Sequence, residues 1–353
     1  MNKVLAYFKK LNEEKILKQE IEVVGWQFNY AYLLISSVVP YLFEPLVRIE
    51  NIAPINNGNR DKRIKPKHYI TIHDTGDTAA IHTAKFWSDT VYHERLMDNN
   101  NPYKASFQYV VGNDGIYHNI PDDEVAYHAG DSTMVDYHLI NTSVKASDEC
   151  VLGIDKQGYY TINNQRTAIL APTIETKDGI KTATVNDIND QGILITKDQD
   201  YFYIGPTYYN QTYQQIANRG GNNNSIGIEV CINQGTNIYY TYQKTAKLVA
   251  KLLNEQHLTI NDIKQHHYFS GKNCPQTMRN NHLWNHFLHL VEVECQVLKF
   301  TDEGYMINFY SDSEFVDEKG LIKTLPNDLK EIKYEIEVIK GESKERITLI
   351  KLV

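Results

Sequence analysis

The chain has 353 residues, of which 42% are hydrophobic and 23% are charged. This length suits one main domain of about 150–250 residues with additional segments, and the composition is typical of a protein with a buried core. The formal net charge of −8 argues against a protein that binds nucleic acid by neutralising phosphates. We therefore expect no nucleic-acid partner.

Residues 1–60 are predicted to form an N-terminal extension. Lysine and glutamate are frequent among the first fifteen residues, and they interrupt the apolar stretch that a signal peptide needs. The most apolar segment, residues 30–47, contains Pro40 and Glu44, whereas a membrane-spanning helix needs about 20 consecutive apolar residues. We expect a buried or interfacial segment here and no stable membrane insertion.

Residues 61–135 predict the first half of an α/β domain. Tyr69–Ile72 alternates as a strand does and runs into a loop that starts at His73. Apolar residues at helical spacing predict a helix from Thr78 to Met97, with Thr78 as its N-cap. Two short apolar runs then flank Asn113-Asp114-Gly115, which is a strong hairpin signal.

The second half of the domain spans residues 218–299. Ser225–Ile232 predicts a strand, Tyr242–Leu253 a helix, and about Thr277–Leu298 a last helix that follows Pro275. The residues between the two halves, about 136–217, are rich in Thr, Asn, Asp and Tyr with short β-like runs. We interpret them as an insertion.

Residues 300–353 predict a small β-rich module, because two alternating runs flank Gly341-Glu342-Ser343 as in a hairpin. The predicted organisation is thus an extension (1–60), an α/β domain (61–299) with an insertion at about 136–217, and a C-terminal module (300–353).

The segment from His266 to Pro275 places an imidazole and the thiol of Cys274 eight positions apart in a loop. Zinc binds His nitrogen and Cys sulfur tetrahedrally, and a catalytic site supplies three protein ligands and leaves the fourth position to water. His73, at the end of its strand, is well placed to be the third ligand. The spacing is equally compatible with ordinary histidines and a small buried cysteine.

Four motifs in a fixed order carry a resemblance. They are Ile-His-Asp-Thr at 72–75, Ala-Tyr-His-Ala-Gly-Asp at 126–131, Asn-Ser-Ile-Gly-Ile-Glu-Val-Cys at 224–231, and the segment 266–275. Together they resemble the type-2 N-acetylmuramoyl-L-alanine amidases, zinc amidases related to peptidoglycan-recognition proteins, and among these the autolysins and phage endolysins of Gram-positive bacteria. The resemblance implies an α/β fold with a mixed central β-sheet flanked by helices.

The resemblance also implies a ligand set. Carried over position by position, it implies one Zn²⁺ per chain bound by His73, His266 and Cys274. His266 rather than His267 is the implied ligand, because the family places its histidine eight residues before the cysteine.

Three further roles follow from the resemblance. Glu229 matches a glutamate that acts on the attacking water, Lys272 a lysine that stabilises the oxyanion, and His128 a histidine that lines the substrate cleft. Without the resemblance, the pattern favours a solvent-facing strand carboxylate for Glu229, and Lys272 is equally well interpreted as a solvated loop lysine. The chain departs from many relatives at Gln108, which stands where they have a histidine between two aromatic residues.

The implied reaction is hydrolysis of the amide bond between the lactyl group of N-acetylmuramic acid and L-alanine in peptidoglycan. An autolysin or endolysin with this activity acts on the cell wall, and without a signal peptide it would need release or phage-mediated export. Two alternatives stay open at this stage: a non-catalytic peptidoglycan-binding module, and an amidase that acts on soluble muropeptides.

Overall fold

The computed structural model describes residues 2–94, 105–129, 140–147, 149–171, 173–176, 179–182, 195–198, 200–204, 221–270, 272–326, 328 and 330–353. Parts of the predicted insertion, the last residues of the predicted helix 78–97, and Gly130, Asp131 and Gly271 of the family motifs lie outside the described residues.

The strands follow one another along the chain in small groups. They are β1 Lys18–Val23, β2 Tyr30–Ile35, β3 Ile49–Glu50, β4 Tyr69–Asp74, β5 Tyr109–Gly112, β6 Gly115–His118, β7 Ile140–Lys145, β8 Leu152–Ile154, β9 Tyr159–Ile162, β10 Gln165–Leu170, β11 Thr173–Thr176, β12 Gly179–Thr182, β13 Ile195–Asp198, β14 Tyr201–Ile204, β15 Ser225–Val230, β16 Ile263–Gln265, β17 Met306–Tyr310, β18 Glu331–Lys340 and β19 Ser343–Leu352.

The helices include two long ones near the end of the α/β domain. They are α1 Asn2–Asn12, α2 Ala84–His93, α3 Gly221–Asn224, α4 Ile238–Glu255, α5 His266–Ser270, α6 Gln276–Asn280 and α7 Trp284–Asp302, with a 3₁₀ turn at Ile260–Asp262.

The central sheet has six strands in the order β16-β4-β15-β5-β6-β3. β16, β4, β15 and β5 run parallel, β6 is antiparallel to β5, and β3 is parallel to β6. Strands β4 and β15 are nearly continuous runs of buried residues, as expected where both faces of a parallel sheet are covered. This confirms the predicted mixed sheet.

Helices cover the sheet on both faces. Ile70, Ile228 and Leu290 belong to one apolar cluster, which unites the sheet with α4 and α7. Trp87 of α2 belongs to a second cluster, together with Val110 of β5. The predicted arrangement of helices around the sheet is therefore confirmed.

Three predicted helices have different bounds in the structure, and the one predicted at 242–253 is α4, Ile238–Glu255. The N-cap of α2 is Thr83, whose side chain accepts a hydrogen bond from Phe86 N, and the prediction of Thr78 as N-cap is wrong. Thr78 is buried and donates its hydroxyl proton to Phe28 O at 2.7 Å. The predicted last helix is divided into α6 and α7, because His282 adopts a left-handed conformation (φ 57°) between them.

The N-terminal and C-terminal segments share one apolar cluster. Phe8 of α1 packs with Val297 of α7 and with Tyr334 and Ile336 of β18, in the sheet β17-β18-β19. The β18-β19 pair is the predicted C-terminal hairpin, which is confirmed. The division of the chain into three domains at residues 60 and 299 stays a prediction.

The apolar segment 30–47 consists of β2 followed by an irregular stretch. Leu34, Val38, Val39 and Leu42 are all buried, which confirms the predicted buried segment. Among the described residues, no helix is both long and apolar enough to cross a bilayer.

The described part of the insertion is made of β-strands. It contains the sheets β8-β9-β10, β11-β12 and β13-β14-β7, and the predicted β-like runs at 159–162 and 201–204 are confirmed as strands. Tyr160, Ile162, Phe202 and Ile204 are buried in one cluster. The insertion therefore has a small apolar core of its own.

Candidate functional site

The candidate site lies at the carboxyl ends of three adjacent parallel strands. His73 near the end of β4 is the register partner of Glu229 near the end of β15. On the other side of β4, β16 ends at Gln265, paired with Ile72, and His266 follows directly. The sheet thus brings together three side chains that are far apart in sequence.

Cys274 reaches the same place from the loop between α5 and α6. His267 N donates to Cys274 O at 3.1 Å, which closes this loop. The half-buried carboxyl group of Asp74, the last residue of β4, accepts a hydrogen bond from Thr277 N at 2.7 Å. These bonds connect the cysteine loop to the strand that carries His73.

His73, His266 and Cys274 form a possible metal site. All three are buried, and one nitrogen or sulfur atom of each lies within 4.8 Å of the others. His73 Nδ1 is 3.7 Å from Cys274 Sγ, close to the separation of about 3.5 Å that two ligands have across a tetrahedral zinc with bonds of about 2.0 and 2.3 Å. His266 Nδ1 is buried and has no hydrogen-bond partner among the described residues. Two imidazoles and a thiol of this geometry fit a zinc-type ion.

The three side chains of the possible metal site favour their uncharged forms. Burial lowers the pKa of both His73 and His266 well below the usual value, and the neighbouring imidazoles and Lys272 lower it further. Burial also raises the pKa of the Cys274 thiol well above its usual value. A divalent ion would therefore find neutral imidazoles ready to bind and would displace the thiol proton.

His128 contacts His73 directly. Its Nδ1 lies 3.0 Å from His73 Nε2, the ring nitrogen of His73 that faces away from Cys274. Burial lowers the pKa of His128 to about 3, so that this imidazole is neutral and one ring donates to the other. The second nitrogen of a metal-binding histidine commonly makes such an orienting contact.

Two neighbours fix His128 in place. The backbone N–H groups of His128 and Ala129 both donate to Asn222 Oδ1 at 2.8 Å. A Cβ atom at Gly227 would lie 2.6 Å from the His128 ring, so that only glycine at this position of β15 allows the ring to pack there.

Glu229 and Lys272 are the charged candidates beside the possible metal site. Glu229 Oε1 is 3.8 Å from His73 Nδ1. Burial raises the pKa of this carboxyl to about 8, although the charge of Lys272 lowers the pKa in part. Lys272 itself is exposed at the rim. A carboxyl group held in this way is suited to exchanging protons near neutral pH.

All six residues that the sequence analysis assigned to the site line one cleft of about 140 Å³: His73, His128, Glu229, His266, Lys272 and Cys274. The cleft is also lined by aromatic residues that the sequence analysis did not assign to the site: Trp26, Trp87, Phe107 and Tyr127. Trp87 was assigned only to a helix face, and Trp26 lies in the extension, outside every motif.

Gln108, the departure from the family pattern noted in the sequence, makes structural hydrogen bonds to the backbone. It is fully buried, its Oε1 accepts from Gly227 N at 2.7 Å, and its Nε2 donates to Glu124 O at 2.9 Å. Both ends of the amide are thus hydrogen-bonded, and Gln108 holds the strand that carries Glu229.

The parallel strands of the sheet carry a His-His-Cys cluster and the side chain of Glu229 at their C-terminal ends. This arrangement defines the class of a candidate metallohydrolase. The sequence profile of the N-acetylmuramoyl-L-alanine amidase family matches residues 63–277, and the chain belongs to this family.

Individual relatives are distant. N-acetylmuramoyl-L-alanine amidase CwlH of Bacillus subtilis (strain 168) is 22% identical over 256 residues, which are 72% of this chain and 65% of CwlH. N-acetylmuramoyl-L-alanine amidase CwlA of the same organism is 32% identical over 84 residues, 23% of this chain and 31% of CwlA. The chain thus spans less than two thirds of either relative. The catalytic domain of XlyA aligns over 70% of this chain and 99% of its own, with 19% identity and a TM-score of 0.40.

Proposed function

We propose that the chain is a zinc-dependent N-acetylmuramoyl-L-alanine amidase that cleaves peptidoglycan at the bond between the lactyl group and L-alanine. The single observation that carries the proposal is the convergence of His73, His266 and Cys274 within 4.8 Å of one another beside the carboxyl group of Glu229. Family membership supplies the reaction, and the relatives CwlH and CwlA carry the same enzyme name. The proposed place of action is the cell wall, as an autolysin or endolysin.

His73, His266 and Cys274 would hold the zinc ion. When bound, zinc supplies Lewis-acid polarisation of the amide carbonyl and makes water acidic enough to attack near neutral pH. His128 orients His73 through the ring-to-ring hydrogen bond of 3.0 Å.

Glu229 is the proposed general base and general acid. Its carboxylate takes a proton from the water that attacks the amide carbon, and the same carboxyl then gives a proton to the departing nitrogen of L-alanine. The C–N bond breaks, leaving a lactyl carboxylate on the glycan and a free amino group on the peptide. Lys272, at the rim of the cleft, would stabilise the negative charge that develops on the carbonyl oxygen.

The test is product analysis with Glu229→Gln, which keeps the size of the side chain and removes its basicity. For the wild-type chain with zinc, digestion of purified peptidoglycan should release new N-terminal L-alanine and no new reducing sugar ends. Glu229→Gln should lower kcat by about 10²–10⁴-fold without changing the zinc content, whereas Glu20→Gln, an exposed glutamate of β1, should leave kcat unchanged.

New reducing ends, or new amino groups within the stem peptide, would contradict the proposed bond. A wild-type chain that binds peptidoglycan but cleaves nothing would support a binding module instead. Activity confined to soluble muropeptides would support the second alternative.

A further inference from the structure

The cleft has one wall that comes from outside the residues matched by the family profile. Trp26 lies between β1 and β2, in the N-terminal extension, and lines the cleft together with His73, Glu229 and Lys272. The family match begins at residue 63. The extension thus adds a side chain to the site that the matched residues do not supply.

The Trp26 side chain is accessible to a ligand. Trp26 is 66% exposed, although it is a large apolar residue. Its ring meets the buried Trp87 edge-to-face, with centroids 6.5 Å apart and an interplanar angle of 83°. Because Trp26 is 66% exposed, the contact with Trp87 leaves much of the indole surface uncovered beside the cleft.

The position of Trp26 is fixed by its surroundings. Trp26 N donates to Gly76 O at 2.8 Å, and a Cβ atom at Gly76 would lie 2.7 Å from Trp26 Nε1, so that the indole lies directly against the loop that follows β4. Gly25 is equally close to Thr78, where a Cβ atom would lie 2.4 Å from Thr78 Cγ2.

The strands on either side of Trp26 are anchored too. Val23 and Leu34 are buried in the main apolar cluster, and Tyr30 OH donates to Ile232 O at 2.6 Å. The indole is therefore held in place before any ligand binds, which reduces the entropic cost of binding.

The surroundings of Trp26 indicate the chemistry of the ligand. Two neighbours that lie against its ring, Trp87 and Gly76, are uncharged. Lys272 is the single cationic side chain among the described residues that line the cleft, and it belongs to the cysteine loop. The C–H face of a pyranose ring is uncharged and stacks on an open indole, whereas a free peptide carboxylate would be attracted to Lys272.

We propose that Trp26 is a sugar-binding platform for the glycan strand of peptidoglycan, contributed by the N-terminal extension to the cleft that contains His73 and Glu229. This proposal rests on the proposed function for the identity of the substrate. It assigns the Trp26 side of the cleft to the glycan and leaves the other side to the stem peptide.

The test measures binding rather than cleavage. A peptide-free oligosaccharide of alternating N-acetylglucosamine and N-acetylmuramic acid contains no amide that an amidase of the proposed type cleaves, and it can be titrated calorimetrically into the full chain. Trp26→Ala should weaken its binding roughly tenfold, the effect of losing one favourable ring contact of about 1.5 kcal/mol, and Trp26→Phe should recover part of the loss. Titration of free stem peptide should give the same Kd for the wild type and Trp26→Ala.

The matched control is Phe28→Ala. Phe28 lies on the same connection between β1 and β2, is 39% exposed and is not among the residues that line the cleft, so its replacement should leave oligosaccharide binding unchanged. Equal oligosaccharide affinity of wild type and Trp26→Ala, or a loss of stem-peptide affinity in its place, would overturn the proposal. The titration needs no turnover, so the two proposals can fail separately. If the wild type cleaved no peptidoglycan but Trp26→Ala still weakened oligosaccharide binding, the proposed function would be refuted and the role of Trp26 would stand.

Discussion

At the scale of single side chains, the contact between His73 and His128 suggests a second role for His128. The family resemblance implies that His128 lines the cleft, and the structure adds a hydrogen-bonding distance of 3.0 Å to a ring nitrogen of His73. This contact can fix both the orientation and the tautomer of His73. We therefore expect His128 to act as a positioning residue in addition to lining the cleft.

His128→Ala should lower the zinc affinity of the chain about 10–100-fold, the usual effect of removing a partner that orients a metal-binding histidine. Competition with a chromophoric chelator measures this affinity directly. The control is His82→Ala, because His82 contacts Asp77 and is not part of the His-His-Cys cluster. Equal zinc affinity for His128→Ala and the wild type would show that the ring-to-ring contact has no positioning role.

Site residues could be predicted from the sequence where a chemically suitable side chain stands in a recognisable local pattern. His73 ends an alternating apolar run and Glu229 interrupts another, and the parallel pairing of their strands places them side by side. Trp26 has no such signal, because only the folded connection between β1 and β2 brings it to the cleft. The structural use of Gln108 was equally beyond prediction, since its two partners are distant in sequence.

At the scale of secondary-structure elements, a buried ion pair joins the two long helices. Lys247 Nζ of α4 lies 2.9 Å from Glu294 Oε2 of α7, and only 13% and 4% of these side chains are exposed. Glu294 Oε1 also accepts from Leu42 N at 3.0 Å. The pair therefore connects both helices to the irregular segment that follows β2.

Glu294→Ala should reduce the free energy of unfolding by about 3–5 kcal/mol, because it leaves the Lys247 ammonium buried without its counter-charge. Urea unfolding at pH 7 measures the change. The double variant Lys247→Met with Glu294→Leu should lose much less stability, since it removes both charges and keeps the volume. If the single variant were as stable as the wild type, the pair would not be the connection described here.

Helix boundaries were harder to predict than the existence of the helices. The apolar spacing of residues 277–298 is compatible with one continuous helix, but the left-handed conformation of His282 separates α6 from α7. The break allows α6 to present Thr277 N to Asp74 while α7 packs along α4. Helical periodicity does not reveal such a turn, because the apolar residues continue on both sides of it.

On the scale of the whole molecule, the two ends of the chain meet in one apolar cluster that also includes α7. Local patterns predicted the individual strands and helices of the α/β domain and the C-terminal hairpin, and the family resemblance implied the mixed sheet. Contact between α1 and β18, at opposite ends of the chain, depends on tertiary packing that no local pattern encodes. The same reason explains why an extension without a recognisable motif places Trp26 in the cleft.

The proposed function requires one zinc ion held by three side chains that are spread over about two hundred positions of the sequence. The measurement that tests it most directly is the zinc content of the purified full chain and of three cysteine variants, determined by elemental analysis. We expect one zinc per chain for the wild type, for Cys231→Ala and for Cys295→Ala, and a loss of zinc for Cys274→Ala, since only Cys274 belongs to the His-His-Cys cluster. A wild-type chain that binds no zinc, or a Cys274→Ala chain that retains it fully, would contradict the account.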